Sequence, residues 1–395
     1  MIYSCSQQTF KREILYTIFL GLRLINLINK IYHFEKAGLC ICLLLHLLLT
    51  LFYVNLFMVS AMENVIVFGN GFDLAFDLPT SYAKFVNSEY WPINGTAAAD
   101  TGSLMGFISD FTLRNCDSLG KVKWIDLETL ILEYALSRRK RVKFASDDEV
   151  LKADKAFFEL LKRRFTEYIV YEVYPLLTSK MKSDLLLVNK VMKAVIANGS
   201  FKKAYSFNYT DTAEIINFVY GCSLNVTHLH GVVRDVDDPI ILGISDSADV
   251  PSEYSFLMKS HHSSFCSHNL NDDLYGANEI ILYGLSLGCA DFEYFKRFLV
   301  DVVNNYRSGM PKKHIHIFTF DDVSRSGIMK SITDIAGLRM SDVYACLDFK
   351  FYVADGWPAS KGVADSYNAF VERMTAAKPG NFIVYTAKAP NKHSW

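Results

Sequence analysis

The chain has 395 residues, of which 51% are apolar and 21% are charged, and its formal net charge is −1. This length and composition allow one or two globular domains with a large core and exclude a disordered chain. The near-neutral charge does not favour general binding to nucleic acid. The eight cysteines are scattered and fit neither a zinc ribbon nor a secreted disulfide framework. Their spacing therefore favours reduced thiols in the cytoplasm and no metal centre.

Residues 1–61 form an apolar extension that differs from the rest of the chain. Within it, residues 37–61 carry no charged side chain, and this length is sufficient to span a membrane. Basic residues precede the run and would hold the N-terminus inside the cell and place everything after Met62 outside, where free thiols and a cellular nucleotide are out of place. These basic residues are Lys11, Arg12, Arg23, Lys30 and Lys36.

Three interpretations of this extension remain open. It is a membrane anchor, a signal peptide that ends near Ala61, or an over-extended reading frame whose translation begins at Met58 or Met62. We expect residues 62–395 to form the domain itself and to be cytoplasmic. The alternative location is the inner membrane, through one N-terminal helix, and it applies only if residues 37–61 are translated.

The first element of the domain is an apolar run, Val65 to Phe68, that ends at Gly69-Asn70-Gly71. The pattern predicts a buried strand, a tight turn and a helix. Backbone amides at such a turn and helix N-terminus favour an anion. The dinucleotide fingerprint requires a third glycine where this chain has Leu74, so a nucleotide site and a plain turn both remain open.

Residues 100–198 have an almost wholly helical pattern, which predicts a helical cap inserted after the first strand and helix. One cap helix opens in the stretch Trp124 to Glu128 with Asp126 as its N-cap, and a second runs from Val150 to Tyr174 and is stopped by a proline. The basic cluster at residues 138–143 is typical of a solvated helix end rather than of a phosphate site.

From Lys202 onward, strand patterns alternate with helical ones. Strands are predicted at Ala204 to Phe207, Val226 to Leu229, Pro239 to Leu242, Glu279 to Tyr283, His314 to Phe320 and Phe349 to Val353, and helices at Thr212 to Tyr220, Phe292 to Tyr306 and Val323 to Ala336. This order predicts an α/β, Rossmann-like fold, with a mostly parallel sheet and helices on both faces. Ligands of such sheets bind at the carboxyl ends of the strands.

Three loops that follow predicted strands carry polar motifs, at residues 206–211, 227–231 and 283–291. Cleavage of an N-glycosidic bond builds oxocarbenium-like charge, and it needs a base near neutral pKa and a group that places ribose or water. His230 and Asn208 have the required chemistry, and Asp73 or Asp211 is suited to orient the imidazole or to bind a ribose hydroxyl. A turn-forming asparagine and a structural histidine are the alternatives.

The stretch Gly284-Leu-Ser286-Leu-Gly288 matches a Gly-x-Ser-x-Gly nucleophile elbow, so a serine hydrolase is the competing class of enzyme. That hypothesis needs a downstream histidine, and for most candidate acids only His393 qualifies, so Ser286 is expected to line a ribose or phosphate pocket. A zinc site is also not expected, because the spacing of the histidines and cysteine at residues 261–268 fits no standard module.

Taken together, the motifs Gly-Asn-Gly-Phe-Asp-Leu with Leu-Pro-Thr-Ser-Tyr, Trp-x-Asp-x-Glu, Phe-Asn-Tyr-Thr, His-Leu-His-Gly and Tyr-Gly-Leu-Ser-Leu resemble the AbiH family of bacterial abortive-infection proteins, over about residues 62–325. More distantly, the set is similar to sirtuin-like domains of anti-phage systems. In those domains a glycine loop binds the diphosphate of NAD, an asparagine lies by the nicotinamide ribose, and the histidine of a His-Gly pair is the base.

The resemblance implies that Asn208 and His230 are the catalytic pair. The chain departs from the sirtuin pattern at Asn70, where a small residue is usual. It also lacks the paired cysteines of a deacetylase zinc module, so the resemblance does not imply deacetylation. The expected nucleotide-binding residues are Gly69, Asn70, Gly71, Phe72, Asp73, Pro79, Thr80, Asp211, His228, Gly284, Ser286 and Asp291, with a contribution from Trp124, Asp126 and Glu128 of the cap.

The resemblance therefore implies a phage-defence protein that responds to an unidentified phage trigger, and together with the site residues it predicts binding and hydrolysis of NAD or a related nucleotide. The alternative is a non-catalytic nucleotide sensor that signals by association. No specific nucleic acid is expected as a partner, and homo-oligomer formation is left open.

Overall fold

The computed structural model describes residues 63–93, 102–123, 125–139, 147–265, 268–307, 310–334 and 336–376. The predictions made for residues 1–61 and for Trp124 lie outside these ranges. None of the helices within the described ranges combines the length and the apolar character needed to cross a membrane.

In the part of the chain that the structure describes, six parallel strands form one sheet in the order β3-β2-β1-β4-β5-β6. The strands are β1 (Asn64–Phe68), β2 (Phe201–Ser206), β3 (Val226–His228), β4 (Glu279–Tyr283), β5 (Lys313–Thr319) and β6 (Leu347–Val353). This is the strand order of dinucleotide-binding Rossmann folds, in which the order reverses between the first and fourth strands and leaves a crevice there. The predicted α/β, Rossmann-like fold is confirmed.

Helices cover both faces of the sheet. Those that precede β2 are α1 (Asn70–Leu74), α2 (Tyr82–Val86), α3 (Leu104–Arg114), α4 (Leu127–Arg139), α5 (Asp147–Tyr168) and α6 (Leu187–Asn198). Those that follow it are α7 (Thr212–Tyr220), α8 (Leu270–Gly276), α9 (Cys289–Asn305), α10 (Asp322–Asp334), α11 (Met340–Cys346) and α12 (Lys361–Ala376). The helices α8, α11 and α12 were not predicted.

Strand β1 is buried on both faces of the sheet. Its successive side chains point to opposite sides, and each side packs into a different core cluster. Ile66 and Phe68 join a core cluster that includes residues of the cap, α6 and α12. Val65 and Val67 join a second cluster with α8, α9, α10 and α11. The continuous apolar run of β1 therefore reflects its central place in the sheet.

Two predictions from the sequence were wrong in detail. The stretch Pro239 to Leu242 is not a strand of the sheet. It is a loop that is buried from Ile240 to Leu242, in which Ile240 forms one antiparallel bridge with Gly231 and the amide of Ile241 donates to the carbonyl of His230 at 2.8 Å. The long cap helix ends earlier than predicted, at Tyr168, and continues as a π-helical turn over Ile169–Val173.

A buried carboxylate links separate segments at the cap. Asp154 of α5 is fully buried, and it accepts hydrogen bonds from the amide of Leu104 at 2.7 Å, from the hydroxyl of Tyr254 at 3.0 Å and from the hydroxyl of Tyr134. Leu104 begins α3, Tyr134 lies within α4, and Tyr254 lies in the segment after β3. A buried carboxylate is tolerated only when it is hydrogen-bonded in this way, so Asp154 joins three separate segments of the chain.

The loops that follow β1 and β4 touch through their main chains. The amide of Gly69 donates to the carbonyl of Tyr283 and the amide of Gly71 to the carbonyl of Gly284, both at 2.9 Å. A Cβ atom on Gly71 would lie 2.5 Å from the Cα of Gly284, and one on Gly284 would lie 2.4 Å from the Cα of Gly71. Gly284 also has a φ of +67°. The glycines at these positions are therefore required by the contact between the two loops.

We expect Gly71→Ala to lower the free energy of unfolding by about 3 kcal/mol, because a methyl group there meets main chain that cannot rotate away. The measurement is urea denaturation of the full chain. The matched control is Gly327→Ala in α10, where no atom lies within 4 Å of the added Cβ and where we expect a gain of about 0.5–1 kcal/mol from helix propensity. Equal effects at both glycines would contradict the packing argument.

We expect Asp154→Ala to lower the free energy of unfolding by about 3 kcal/mol, because it leaves buried donors without an acceptor. Asp110→Ala is the control, since Asp110 forms an exposed pair with Arg114 in α3, and such pairs contribute at most about 0.5 kcal/mol. A loss at Asp154 no larger than at Asp110 would show that the carboxylate does not join the cap.

Candidate functional site

A cavity of about 470 Å³ lies at the carboxyl ends of β1 and β4, where the strand order reverses. This volume is within the usual range of small-molecule sites. The walls come from the two glycine loops, from the cap, and from the loops after β2, β3 and β5. Among the residues predicted from the sequence, those that line it are Gly69, Asn70, Gly71, Asp73, Thr80, Asp126, Glu128, Asn208, His230, Gly284, Ser286 and Asp291.

Asp211 and His228 do not line this cavity, although both follow strands. The Asp211 carboxylate caps α7 by accepting from the amide of Glu214 at 3.1 Å, and it also accepts from Nε of Arg234 at 2.6 Å. Nε2 of His228 accepts from the amide of Thr212 at 3.3 Å. Both side chains therefore stabilise the start of α7.

Phe72 and Pro79 also lie away from the cavity lining. The Phe72 ring is buried, with its centroid 4.6 Å from that of Phe68 and 5.7 Å from that of Tyr283. The carbonyl of Pro79 accepts from the hydroxyl of Tyr168 at 2.7 Å, which ties the first loop to the cap.

Three amides at the glycine loop donate within the protein. Gly69 and Gly71 donate to the loop after β4, and the amide of Phe72 donates to the carbonyl of Gly69 at 2.9 Å. The amides of Gly69, Gly71 and Phe72 are therefore not free to bind a ligand.

Asp73 and Asn208 form a buried pair at the floor of the cavity. The Asp73 carboxylate accepts from Nδ2 of Asn208 at 2.9 Å and from the hydroxyl of Thr210 at 2.6 Å. Burial raises the pKa of Asp73 to about 7, although both hydrogen bonds act to lower it. The other amide atom, Oδ1 of Asn208, is buried and has no hydrogen-bond partner in the described residues. A buried acceptor without a partner is exceptional in a folded protein, so this atom is a candidate ligand contact.

Lys259 is the residue of this region that sequence analysis missed. It is 3% exposed, and its Nζ lies 3.1 Å from Oε2 of Glu128, 3.0 Å from Nε2 of His230 and 3.6 Å from Oδ1 of Asp291. No motif surrounds it in the sequence Met258-Lys259-Ser260, and lysines are almost always exposed unless paired. We call these four side chains the charge cluster.

The charge cluster determines the protonation of its members. Burial raises the pKa of Glu128 and of Asp291, with Lys259 acting against it. Burial would lower the pKa of Lys259, but the two carboxylates outweigh it and raise that pKa. Burial and the Lys259 ammonium together hold the pKa of His230 well below its usual value. At neutral pH the imidazole is therefore neutral beside a charged lysine.

Tyrosines close the cavity on the cap side. The hydroxyl of Tyr209 donates to Oε1 of Glu128 at 3.2 Å. Burial raises the pKa of Tyr209 and of Tyr82 well above the usual value, so both phenols stay protonated and act as donors. The ring of Phe207 meets that of His230 edge-on, with centroids 5.2 Å apart.

Ser286 is exposed at the rim of the cavity, beside Leu287 with its φ of +50°. Within the described residues, no hydrogen bond joins Ser286 to a histidine, which a serine hydrolase requires. His393 lies outside those residues. The side chain therefore has the position expected of a residue that lines the cavity.

The chain is similar to a known protein family. A family model described as bacteriophage abortive infection AbiH matches residues 65–309, more than half of the chain. The matched range contains both glycine loops, the cap, Asn208 and the whole charge cluster. None of the curated proteins and none of the solved structures matches the chain.

We expect Asp73 to make the protein less stable as the pH rises from about 4 to about 7. Between the ordinary pKa of 3.8 and the folded value of about 7, the native state holds this proton more tightly than the unfolded state. Raising the pH through this window therefore lowers the free energy of unfolding, by on the order of 1 kcal/mol for each pH unit.

The measurement is urea denaturation of wild type and Asp73→Asn from pH 4 to 8. The stability of the variant relative to wild type should rise through this window and stay constant above it. A difference that does not change with pH would show that Asp73 is ionised throughout. Asp301→Asn, at a partly exposed position of α9 outside the cavity lining, is the control for loss of a carboxylate elsewhere in the chain.

Proposed function

The chain belongs to the AbiH family of bacteriophage abortive-infection proteins, and from that premise we propose that it binds and hydrolyses NAD or a related nucleotide in the cavity between β1 and β4. Its role in defence follows from the family. The nucleotide and the reaction are our proposal, and they are supported by the strand order, by the position of the cavity and by the polar side chains that line it.

The observation that carries the proposal is the state of Asn208. The residue is 4% exposed and its amide is fixed through Nδ2 by Asp73, yet Oδ1 has no partner among the described residues. A buried acceptor left unpaired costs about 1–3 kcal/mol, and binding of a ligand donor removes this cost. A ribose hydroxyl is a donor of the right kind for this acceptor.

The proposed reaction breaks the bond between C1′ of the ribose and N1 of nicotinamide. The electron pair of that bond goes to N1, which loses its positive charge, so nicotinamide leaves without needing a proton. The oxygen of water bonds to C1′, and water gives up one proton to the enzyme. The products are nicotinamide and ADP-ribose, and the proton is accepted within the charge cluster that contains His230.

The chain supplies three kinds of group for this chemistry. Asn208 holds the ribose, and Asp73 holds Asn208. The carboxylates of Glu128 and Asp291 lie at the same cavity and stabilise the positive charge that develops on the ribose. Because the substrate is a metabolite of the cytoplasm, we place the reaction in that compartment. Loss of such a metabolite would stop the growth of an infected cell.

The test is release of nicotinamide from NAD by the full chain, measured by chromatography, alone and with phage lysate. We expect turnover in wild type and a loss of about 100-fold or more in kcat/KM for Asn208→Ala. His314→Gln is the control, because His314 begins β5 at the opposite end of the sheet from the cavity, and it should keep full turnover.

Phage plating on cells that express the same variants should follow the enzyme assay, with protection lost in Asn208→Ala and kept in His314→Gln. Absence of turnover together with a thermal shift from NAD would favour the nucleotide sensor. Absence of both turnover and binding would contradict the proposed substrate and leave the family role alone.

A further inference from the structure

His230 has no ring nitrogen free to take a proton from water. Its Nε2 lies 3.0 Å from Nζ of Lys259, and an ammonium has no lone pair, so the imidazole nitrogen must be the acceptor. The ring also has a hydrogen bond with the backbone of Phe207, which favours its protonated form. A neutral imidazole that accepts at Nε2 carries its proton on Nδ1. The one lone pair of the neutral ring, on Nε2, is therefore already engaged by Lys259.

Glu128 has free acceptor positions for a proton, which His230 lacks. Its carboxylate lines the cavity, Oε1 accepts one hydrogen bond from Tyr209, and Oε2 accepts one from Lys259. Each carboxylate oxygen has two acceptor positions, so one on each oxygen remains beyond these bonds. The Lys259 and Tyr209 contacts also fix the plane of the carboxylate relative to the cavity.

We propose that Glu128 accepts the proton of the attacking water and that Lys259 is the positioning residue that holds Glu128 ready for it. As the water oxygen bonds to C1′, its proton passes to an oxygen of Glu128, and it is released to solvent after the products leave. This inference rests on the proposed function and changes the base within it from the imidazole to the carboxylate.

The surroundings of Glu128 fit this role. Burial raises the pKa of the carboxyl, which brings it nearer to neutrality, where a base is most effective. Lys259 acts in the opposite direction and keeps a working fraction of the carboxylate ionised. The titratable groups that face Glu128 and its partner Lys259 are Asp126 at the start of α4, Tyr82 of α2, Tyr209 after β2, His230 after β3, Lys259 itself, and Asp291 and Tyr294 of α9.

Two variants of matched size separate the two candidate bases. Glu128→Gln keeps the shape of the side chain but cannot take the proton, and we expect kcat to fall by about 100-fold or more. His230→Gln can still accept from Lys259, and we expect its loss of kcat to be at least about tenfold smaller than that of Glu128→Gln. The opposite order, with His230→Gln inactive and Glu128→Gln active, would overturn the proposal.

The pH profile tests the role of Lys259. In wild type, kcat should fall as the pH drops below the pKa of Glu128, because the base becomes protonated. This fall is the acidic limb of the profile. Lys259→Met removes the charge that favours the carboxylate, so the acidic limb should move to higher pH. Lys259→Arg should restore the wild-type position of the limb. A fall in kcat that is equal at every pH, with the limb unmoved, would mean that Lys259 has only a structural role.

A direct titration separates this inference from the proposed function. In protein labelled with ¹³C at the glutamate carboxyls, the signal absent from Glu128→Gln identifies Glu128. It should titrate above the usual glutamate range, and at still higher pH in Lys259→Met. This result stands even if NAD is not the substrate. Titration in the usual range, unchanged by Lys259→Met, would overturn the inference whether or not turnover is observed.

Discussion

The main-chain contact between the loops after β1 and β4 is the constraint on which the rest of the site depends. Gly71 and Gly284 approach so closely that a methyl group on either would meet the backbone of the other. The contact closes the floor of the crevice that the strand order opens, and it places Asp73, which follows β1, and Asp291, which follows β4, on one cavity. It also uses the amides of Gly69 and Gly71. The glycines therefore serve the protein itself, and the chemistry of the cavity is carried by side chains that arrive from elsewhere in the chain.

Those side chains bring buried charge, which is costly unless it is paired. Two carboxylates, Glu128 and Asp291, share a single ammonium, that of Lys259. The ammonium in turn suppresses protonation of His230. An arrangement of this kind contributes little to stability by comparison with an apolar core of the same volume. It does set which group in the cavity holds a proton at neutral pH, and perturbed buried carboxyls that face a cavity are typical of functional sites.

Local patterns predicted the parts of the fold that local forces determine. The bounds of β4 and α7 agree with the sequence, and Asp126 caps α4 as expected, with its carboxylate accepting from the amide of Thr129. Long-range contacts explain the failures. An apolar stretch at residues 239–242 is buried by pairing with the loop after β3, and periodicity does not distinguish that from a strand. Position at a strand end did not reveal that Asp211 and His228 face α7. Lys259 was missed because its burial arises from Glu128, 131 residues earlier in the chain.

The charge cluster couples the cap to the sheet. Glu128 belongs to a cap helix, Asp291 to a helix that follows β4, and Lys259 and His230 to the segment after β3. If the cap moved away, Glu128 would lose its cation, and Asp291 alone would remain to compensate a buried ammonium. Such a separation would therefore leave buried charge poorly paired at Glu128 and Lys259, the residues that we assign to proton transfer. Since the carboxylate of Asp154 also joins the cap to the segment after β3, through Tyr254, the cap has two buried anchors. A change that loosened either anchor would alter the protonation of the cavity as well as its shape, and docking of the cap is therefore a condition for the chemistry.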